Sequence, residues 1–141
     1  AGGGFGGGEG SFIGQKKTIV DKEDDAAAVN MGGSWRMPTS AEQDELRTAC
    51  TWTWTDDYNG TGVEGCIVTS KINDNHIFLP AAGYRDDLYL SYFGSRGYYW
   101  SSSLYEGRPY RAWDLLFNSS NPHLLGSNFR YYGRTVRAVV R

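Results

Sequence analysis

Several residue types and patterns that mark other protein classes are scarce in this sequence. The chain has 141 residues, of which two are cysteine, two are histidine and four are proline. No run approaches the roughly 18 consecutive apolar residues of a membrane-spanning helix, so we expect no membrane span. Basic and acidic side chains nearly balance, and the net charge is −2. The chain therefore lacks the excess of positive charge that is typical of a nucleic-acid-binding protein. We therefore expect a partner other than nucleic acid.

The two cysteines, Cys50 and Cys66, are too few to staple a small secreted fold or to form a zinc site of the CxxC type. They flank a predicted β-hairpin whose favoured register does not place them directly opposite each other. Two interpretations stay open, a disulfide bridge and two buried thiols, because a bridge requires closely opposed Cβ atoms.

Residues that perform catalysis or bind metals are equally scarce. His76 belongs to an alternating strand pattern, which is typical of a structural residue, and His123 follows a proline in a predicted loop. No spacing supports a nucleophile and base pair of Cys66 with His76. The NDN run from Asn73 to Asn75 favours a turn, since the terminal glutamate of a calcium loop is missing. The sequence therefore predicts no enzyme, no metal site and no cofactor.

The length fits one domain of the common size, about 100–150 residues. Seven of the first ten residues are glycine, a composition that does not bury enough apolar surface to repay its ordering. We predict that residues 1–14 are a glycine-rich linker or a cloning boundary. Residues 15–141 are then a single ligand-binding domain.

Helix signals come early in the chain and strand signals come late. The run KEDDAAAVNMGG, with acids first and two glycines last, predicts a short helix, and Thr39 with Glu42 predicts a capping box for a second one. The runs TWTWT and CIVTS predict strands joined by a turn at Asn59 and Gly60, followed by strands at 76–79, 98–102, 112–117 and 135–140. This order predicts the α+β class. Four tryptophans are predicted to be largely buried: Trp35, Trp52, Trp54 and Trp100.

Aromatic and arginine residues are concentrated in one part of the chain. Nine of the ten tyrosines and 14 of the 21 aromatic residues lie within residues 84–132, and all seven basic residues after Arg85 are arginine. Tyrosine and arginine among small polar residues are typical of a binding surface, whereas the alternative is a β-rich core that is aromatic. We favour the binding surface, because residues 104–111 and 118–132 lack the alternation of a buried strand.

Four segments of the sequence resemble a known family. They are DDAAAVNMGGSWRMPTSAEQDELRTACTWTWT, GCIVTSKINDNHIFLPAAGYR, GSRGYYWSSSLY and FRYYGRTVRAV. Together they resemble the major paralogous domain family of surface proteins from gut and rumen bacteria, and the variable proteins that retroelements diversify, such as phage tail-tip proteins. The resemblance implies a C-type lectin-like fold of the formylglycine-generating-enzyme type, with two helices packed on small twisted antiparallel sheets.

The resemblance also implies a variable ligand-binding face. In the diversified proteins, variable positions carry residues such as Tyr, Ser, Asn, Arg and Asp, while fixed positions keep residues such as Trp, Ala or Val. Glu106 and Trp113 depart from the variable pattern. The implied face consists of Ser95, Arg96, Tyr98, Leu104, Tyr105, Arg108, Tyr110, Arg111, Asp114, Leu116, Asn118, His123, Ser127, Phe129, Tyr131 and Tyr132.

Two departures from the family narrow the expected chemistry. The motifs that hold sugar-binding calcium in lectins are missing, and both cysteines precede residue 70, so calcium-dependent sugar binding and oxidase activity are not expected.

The resemblance implies a non-enzymatic receptor-binding domain on a virion tail or bacterial cell surface, whose partner is a protein or glycan on a cell surface. Tail-tip relatives are often trimeric, so the implied partners include further copies of the chain. The alternative is a fixed structural or adhesion module of a larger bacterial surface protein, whose aromatic residues pack against a neighbouring domain.

Overall fold

The computed structural model of the protein describes residues 18–120 and 124–140. This part of the chain has two α-helices, α1 (Ala26–Met31) and α2 (Ser40–Ala49), and 3₁₀ turns at Lys22–Asp24 and Tyr58–Gly60. Its strands are β1 (Trp35–Arg36), β2 (Cys50–Thr55), β3 (Gly65–Ser70), β4 (His76–Pro80), β5 (Tyr84–Asp86), β6 (Tyr89–Ser91), β7 (Arg96–Tyr105), β8 (Arg108–Asn118), β9 (Leu124–Phe129) and β10 (Val139–Val140). They form four antiparallel sheets, β1–β10, β2–β3–β4, β5–β6 and β7–β8–β9. The predicted linker at residues 1–14 lies outside the described residues.

Both predicted helices are confirmed, and side-chain caps fix where they begin. The Asp25 carboxylate accepts hydrogen bonds from the backbone N–H groups of Ala27 and Ala28, and α1 ends at Gly32, whose φ is +68°. Thr39 and Glu42 form the predicted capping box at the start of α2. These caps satisfy N–H groups that have no partner inside a helix.

The β2–β3 hairpin is also confirmed, and its register decides between the two cysteine interpretations. Cys50 pairs with Ser70, whereas Cys66 pairs with Trp54, so the two residues are at separate places in the sheet. Both are free thiols; Cys66 is buried and Cys50 is half-buried. The prediction that they are not directly opposite is therefore confirmed.

The longest sheet, β7–β8–β9, is covered on both faces. On one face Leu115 and Phe117 pack against Cys66, Val68 and Leu79 of the β2–β3–β4 sheet. A Cβ atom at Gly97 would overlap the Phe117 ring, which explains the glycine in β7.

The opposite face of the same sheet is covered by helix α1 and by the C-terminal segment. Trp100 and Ala112 of this face pack with Ala27, Met37 and the half-buried Val136. Because both faces are covered, β7 is buried almost throughout its length.

The predicted α+β fold of the C-type lectin type is wrong. Strands make up 48% of the described residues and helices 18%, in several small antiparallel sheets, and the fold is unidentified. The error arises mainly in residues 104–111 and 118–132, which lack alternation yet contribute to β7, β8 and β9. Aromatic residues favour strands, and these segments contain Tyr105, Tyr110 and Phe129.

The predictions about tryptophan burial and about the last strand are confirmed only in part. Trp100 is buried, whereas Trp52 and Trp54 are half-buried with ring centroids 5.8 and 6.5 Å from that of Phe117. The prediction is wrong for Trp35, which is 39% exposed because β1 and β10 form only a two-stranded sheet. The strand predicted at 135–140 is reduced to β10. No helix in the described ranges is long and apolar enough to cross a membrane.

Candidate functional site

Ring contacts join six aromatic side chains of β5, β8, β9 and the segments after β6 and β9, and a separate ring pair from β7 and β8 is linked to them through the Arg111 guanidinium. Most of these rings are exposed or half-buried, although each touches at least one other ring of the group. We call this group the aromatic surface, and it consists of Tyr84, Tyr92, Tyr105, Tyr110, Trp113, Phe129, Tyr131 and Tyr132.

Three rings of the aromatic surface form a ladder where the beginning of β8 lies beside the end of β9. Phe129 stacks on Tyr110 at a centroid distance of 6.1 Å and on Tyr131 at 5.4 Å, with interplanar angles of 19° and 12°. The strand pairing that aligns Arg111 with Phe129 brings these rings together, and the Arg130 N–H donates to the Tyr110 carbonyl. The exposed fractions of Tyr110, Phe129 and Tyr131 are 43%, 36% and 68%. The ladder is therefore open to solvent.

The second part of the aromatic surface follows the β5–β6 hairpin. The Tyr132 ring lies 4.6 Å from Tyr131 and 5.4 Å from Tyr84, and Tyr84 in turn contacts Tyr92. Reciprocal backbone hydrogen bonds between Arg85 and Gly133, of 2.6 and 2.9 Å, hold β5 against the segment that follows β9. Pairing of distant backbone segments thus joins the two parts into one surface.

Arginine side chains are interleaved with the rings. The Arg111 guanidinium lies 5.2 Å from the Phe129 centroid, and that of Arg96 lies 3.9 Å from the centroid of Tyr92. Arg108 is exposed and pairs with Tyr105 where β7 and β8 meet. Within residues 18–120 and 124–140, none of these three arginines forms an ion pair with a carboxylate. Arg96 donates to the Tyr98 hydroxyl and Arg111 to the Ser127 carbonyl, whereas Arg108 is exposed.

A buried ion pair lies beneath the hairpin part of the surface. Arg134 donates to the Asp114 carboxylate, and neither side chain is more than 3% exposed. The Arg134 guanidinium carbon lies 4.5 to 5.5 Å from the ring centroids of its aromatic neighbours, which are Tyr84, Tyr98, Trp100 and Tyr132. Burial raises the pKa of Asp114 to about 6, because it disfavours the charged form more than Arg134 favours it. Arg134 thus connects the buried ion pair to Tyr84 and Tyr132 of the aromatic surface.

Many of the sixteen predicted site residues lie on or beside the aromatic surface, exposed or half-buried. The structure brings together Tyr105, Arg108, Tyr110, Arg111, Ser127, Phe129, Tyr131 and Tyr132. It places Arg96 and the exposed Ser95 beside Tyr92, at the hairpin part of the surface. Leu116 and Asn118 are half-buried further along β8, outside the ring contacts, and His123 lies outside the described residues.

The expected exposure is wrong for three predicted residues, because they lie on a face of the sheet that is covered. Tyr98, Leu104 and Asp114 are buried, at 6%, 4% and 0% exposure. Asp114, a member of the implied binding face, is buried because Arg134 and its surrounding rings cover that part of β8.

Sequence reasoning missed four residues of the site and its support. Tyr84 and Tyr92 belong to the tyrosine-rich range, so composition was a usable signal for them. Trp113 was set aside as a departure from the family pattern, although its ring lies 5.2 Å from that of Tyr105. Arg134 carries no signal in the sequence that separates it from the other six arginines after Arg85.

Two other features of the described residues offer less to a ligand. A cavity of about 700 Å³ lies beside α1, but its charged groups include Asp25, which caps the helix, and Arg36, which pairs with Glu42. Burial raises the pKa of the Cys66 thiol to about 12, so its thiolate is scarce at neutral pH. No group of three potential metal-binding side chains occurs in the part of the chain that the structure describes.

Comparison with protein families identifies one match. The model of the family described as "Domain of unknown function (DUF8237)" matches residues 67–139, which is just over half of the chain. The chain belongs to the DUF8237 family. The region matched by DUF8237 runs from β3 to β10 and contains every residue of the aromatic surface. No curated protein and no solved structure matches the chain.

Proposed function

We propose that this protein is a non-enzymatic ligand-binding domain, and that its aromatic surface contacts a protein or glycan on a cell surface. The supporting observation is the ladder of Tyr110, Phe129 and Tyr131, which stays open to solvent in a domain that buries rings such as Phe117. Exposed aromatic clusters of this kind mark interaction sites.

The residue types of the aromatic surface favour the binding of a ligand. Tyrosine and arginine are enriched among residues that dominate binding energy, because they offer large contact areas together with hydrogen-bond donors. The aromatic surface combines both residue types, and Arg111 and Arg96 lie over its rings. These rings are pre-organised by contacts within the domain, which lowers the entropic cost of binding a ligand.

The family resemblance adds a location and a source of variation to this proposal. The domain is displayed on a phage tail or bacterial surface, and a retroelement diversifies codons for solvent-facing positions such as Tyr110, Phe129 and Tyr131. The nucleotide sequence of the locus tests this part. A near-identical template repeat that differs at adenines supports it, whereas a locus with neither a repeat nor a reverse-transcriptase gene contradicts it.

Binding itself is tested with fluorescently labelled domain and a panel of bacterial cells. We expect wild type to label some of the cell types, and the triple-serine variant Tyr110→Ser/Phe129→Ser/Tyr131→Ser to lose that labelling while keeping the wild-type circular dichroism spectrum. The matched control is Lys71→Gln, an exposed substitution away from the aromatic surface. Equal labelling by wild type and the folded triple-serine variant would contradict the proposal.

One observation favours the alternative of a structural or adhesion module. Leu88 in the turn of the β5–β6 hairpin is 85% exposed and Phe93, just after β6, is 70% exposed, which fits packing against a neighbouring domain. Under this alternative, Leu88→Ser and Phe93→Ser weaken attachment to that domain. Cell labelling is then insensitive to the triple-serine substitution.

A further inference from the structure

The β5–β6 hairpin has one open strand edge. Arg85 of β5 exchanges two backbone hydrogen bonds with Gly133, so its N–H and carbonyl groups point away from β6. Leu90 of β6 pairs with Arg85. Because opposite residues of an antiparallel pair either bond to each other or both point outward, the N–H and carbonyl of Leu90 point out of the hairpin on its other side. Within residues 18–120 and 124–140, no backbone hydrogen bond from outside the hairpin reaches Leu90.

The sequence of β6 does little to protect this edge. Open strand edges pair readily with another strand, and proteins usually protect them with charged side chains, proline or short length. β6 has only three residues, but residues 88–92 contain neither a charge nor a proline. The outward N–H and carbonyl of Leu90 match the donor and acceptor of an extended peptide, which is how one strand adds to another. The edge therefore favours a polypeptide strand, and the side chains around it must supply most of the affinity.

Exposed apolar side chains surround the edge. The exposed fractions are 85% for Leu88, 75% for Tyr89, 48% for Leu90, 46% for Tyr92 and 70% for Phe93. At about 200 Å² for a whole large side chain, their exposed parts amount to roughly 650 Å² in one copy of the chain. Two copies that meet here would bury up to about 1,300 Å², which reaches the roughly 1,200 Å² at which specific protein interfaces begin.

We infer that β6 pairs with β6 of a second copy of the chain, antiparallel and around a two-fold axis at Leu90. Such an axis brings the same residue of both copies together, so the two Leu90 residues exchange both backbone hydrogen bonds. The same register places Leu88 opposite Tyr92 of the second copy, which pairs apolar side chains across the seam. Opposite charges lie beside that pair, because Asp87 adjoins Leu88 and the Arg96 guanidinium lies 3.9 Å from the Tyr92 centroid. This complementarity of the edge to itself favours a second copy over an unrelated strand.

Sedimentation equilibrium of the whole chain measures the dissociation constant of the dimer. Leu90→Asp should weaken the dimer by about tenfold or more, because it places two carboxylates at the axis. The matched control is Ile72→Asp, which adds the same charge at a residue that is 90% exposed in the turn between β3 and β4. This control should leave the dissociation constant unchanged.

A second variant tests the backbone pairing itself. Leu90→Pro keeps an apolar side chain and removes only an outward N–H, which an edge strand tolerates. It should also weaken the dimer by about tenfold. In the wild-type chain, hydrogen exchange at the Leu90 amide should become slower as the concentration rises through the dissociation constant. Circular dichroism shows that each variant is folded before its association is compared.

Several outcomes would overturn this inference. A wild-type chain that stays monomeric up to about 0.5 mM overturns it and leaves the hairpin to a neighbouring domain. A trimer overturns it too, as does a dimer that persists in Leu90→Asp or that leaves exchange at the Leu90 amide unchanged. A dimer that Leu90→Asp weakens and Leu90→Pro does not would assign the contact to side chains alone and overturn the strand pairing. The proposed function is judged separately, by cell labelling with the triple-serine variant, and does not depend on the dimer.

Discussion

Arginines near α2 and arginines on the aromatic surface have different partners. Arg36 pairs with Glu42 at 2.7 Å and Arg47 with Asp44 at 2.6 Å, so both positive charges are used within the fold. Arg96 and Arg111 lie over rings instead, and neither has a carboxylate partner among the described residues. The first region neutralises its arginines with carboxylates, whereas Arg96 and Arg111 have neutral partners, the Tyr98 hydroxyl and the Ser127 carbonyl. Under the proposed function, this difference separates residues that stabilise the domain from residues that contact the ligand.

The largest expected loss of stability comes from removing a buried ring, and the removal of an exposed ring provides the comparison. Trp100→Ala should lower the free energy of unfolding by about 3–5 kcal/mol, because the ring is buried against Ala27 and Met37. Trp35→Ala should cost much less, about 1 kcal/mol, since this ring is 39% exposed. Urea unfolding of both variants measures the difference. Equal losses would show that exposure does not separate the two roles.

The second prediction compares a buried ion pair with an exposed one. Asp114→Ala should cost about 3 kcal/mol, because it leaves the Arg134 guanidinium buried without its carboxylate. Asp44→Ala, which breaks the exposed pair with Arg47, should cost at most about 0.5 kcal/mol. Urea unfolding at neutral pH checks both values. A small loss for Asp114→Ala would mean that the buried pair does not hold the rings above it.

Two carboxylates should give opposite pH dependences. Arg36 lowers the pKa of Glu42 from its ordinary 4.5 to about 2, so the stability that Glu42 adds is present above pH 4.5 and is lost as the pH falls towards 2. Burial raises the pKa of Asp114 from 3.8 to about 6, so its contribution is greatest below pH 3.8 and is lost as the pH rises through 6.

Urea unfolding across this pH range checks both signs, with Glu42→Gln and Asp114→Asn as the matched variants. Glu42→Gln should remove the loss at low pH, and Asp114→Asn should remove the decline between about pH 4 and pH 6. An Asp114→Asn variant that keeps that decline would assign it to another group.

Local signals predicted local structure well in the first half of the chain. The Thr39 and Glu42 capping box and the alternation of TWTWT act over a few residues, so the sequence contains the information needed to predict them. The second half is different, because β7 and β8 are buried by segments distant in sequence and their alternation disappears. The concentration of tyrosine and arginine predicted where the candidate site lies. Which residues face solvent was not predictable from sequence, because the covering of Tyr98 and Asp114 depends on Arg134 and long-range pairing.

Small effects on stability are expected for the ladder, and they test most directly the claim that its rings serve recognition rather than folding. The measurement is the free energy of urea unfolding for Tyr110→Ser, Phe129→Ser and Tyr131→Ser, each against wild type, with Phe117→Ala as the buried-ring reference. We predict a loss of at most about 1 kcal/mol for each ladder variant, because only ring-to-ring contacts at the surface are removed. The reference should lose about 3–5 kcal/mol, since Phe117 is 2% exposed. A loss of about 3 kcal/mol or more at Tyr131 would contradict the account, because that ring would then belong to the structural core.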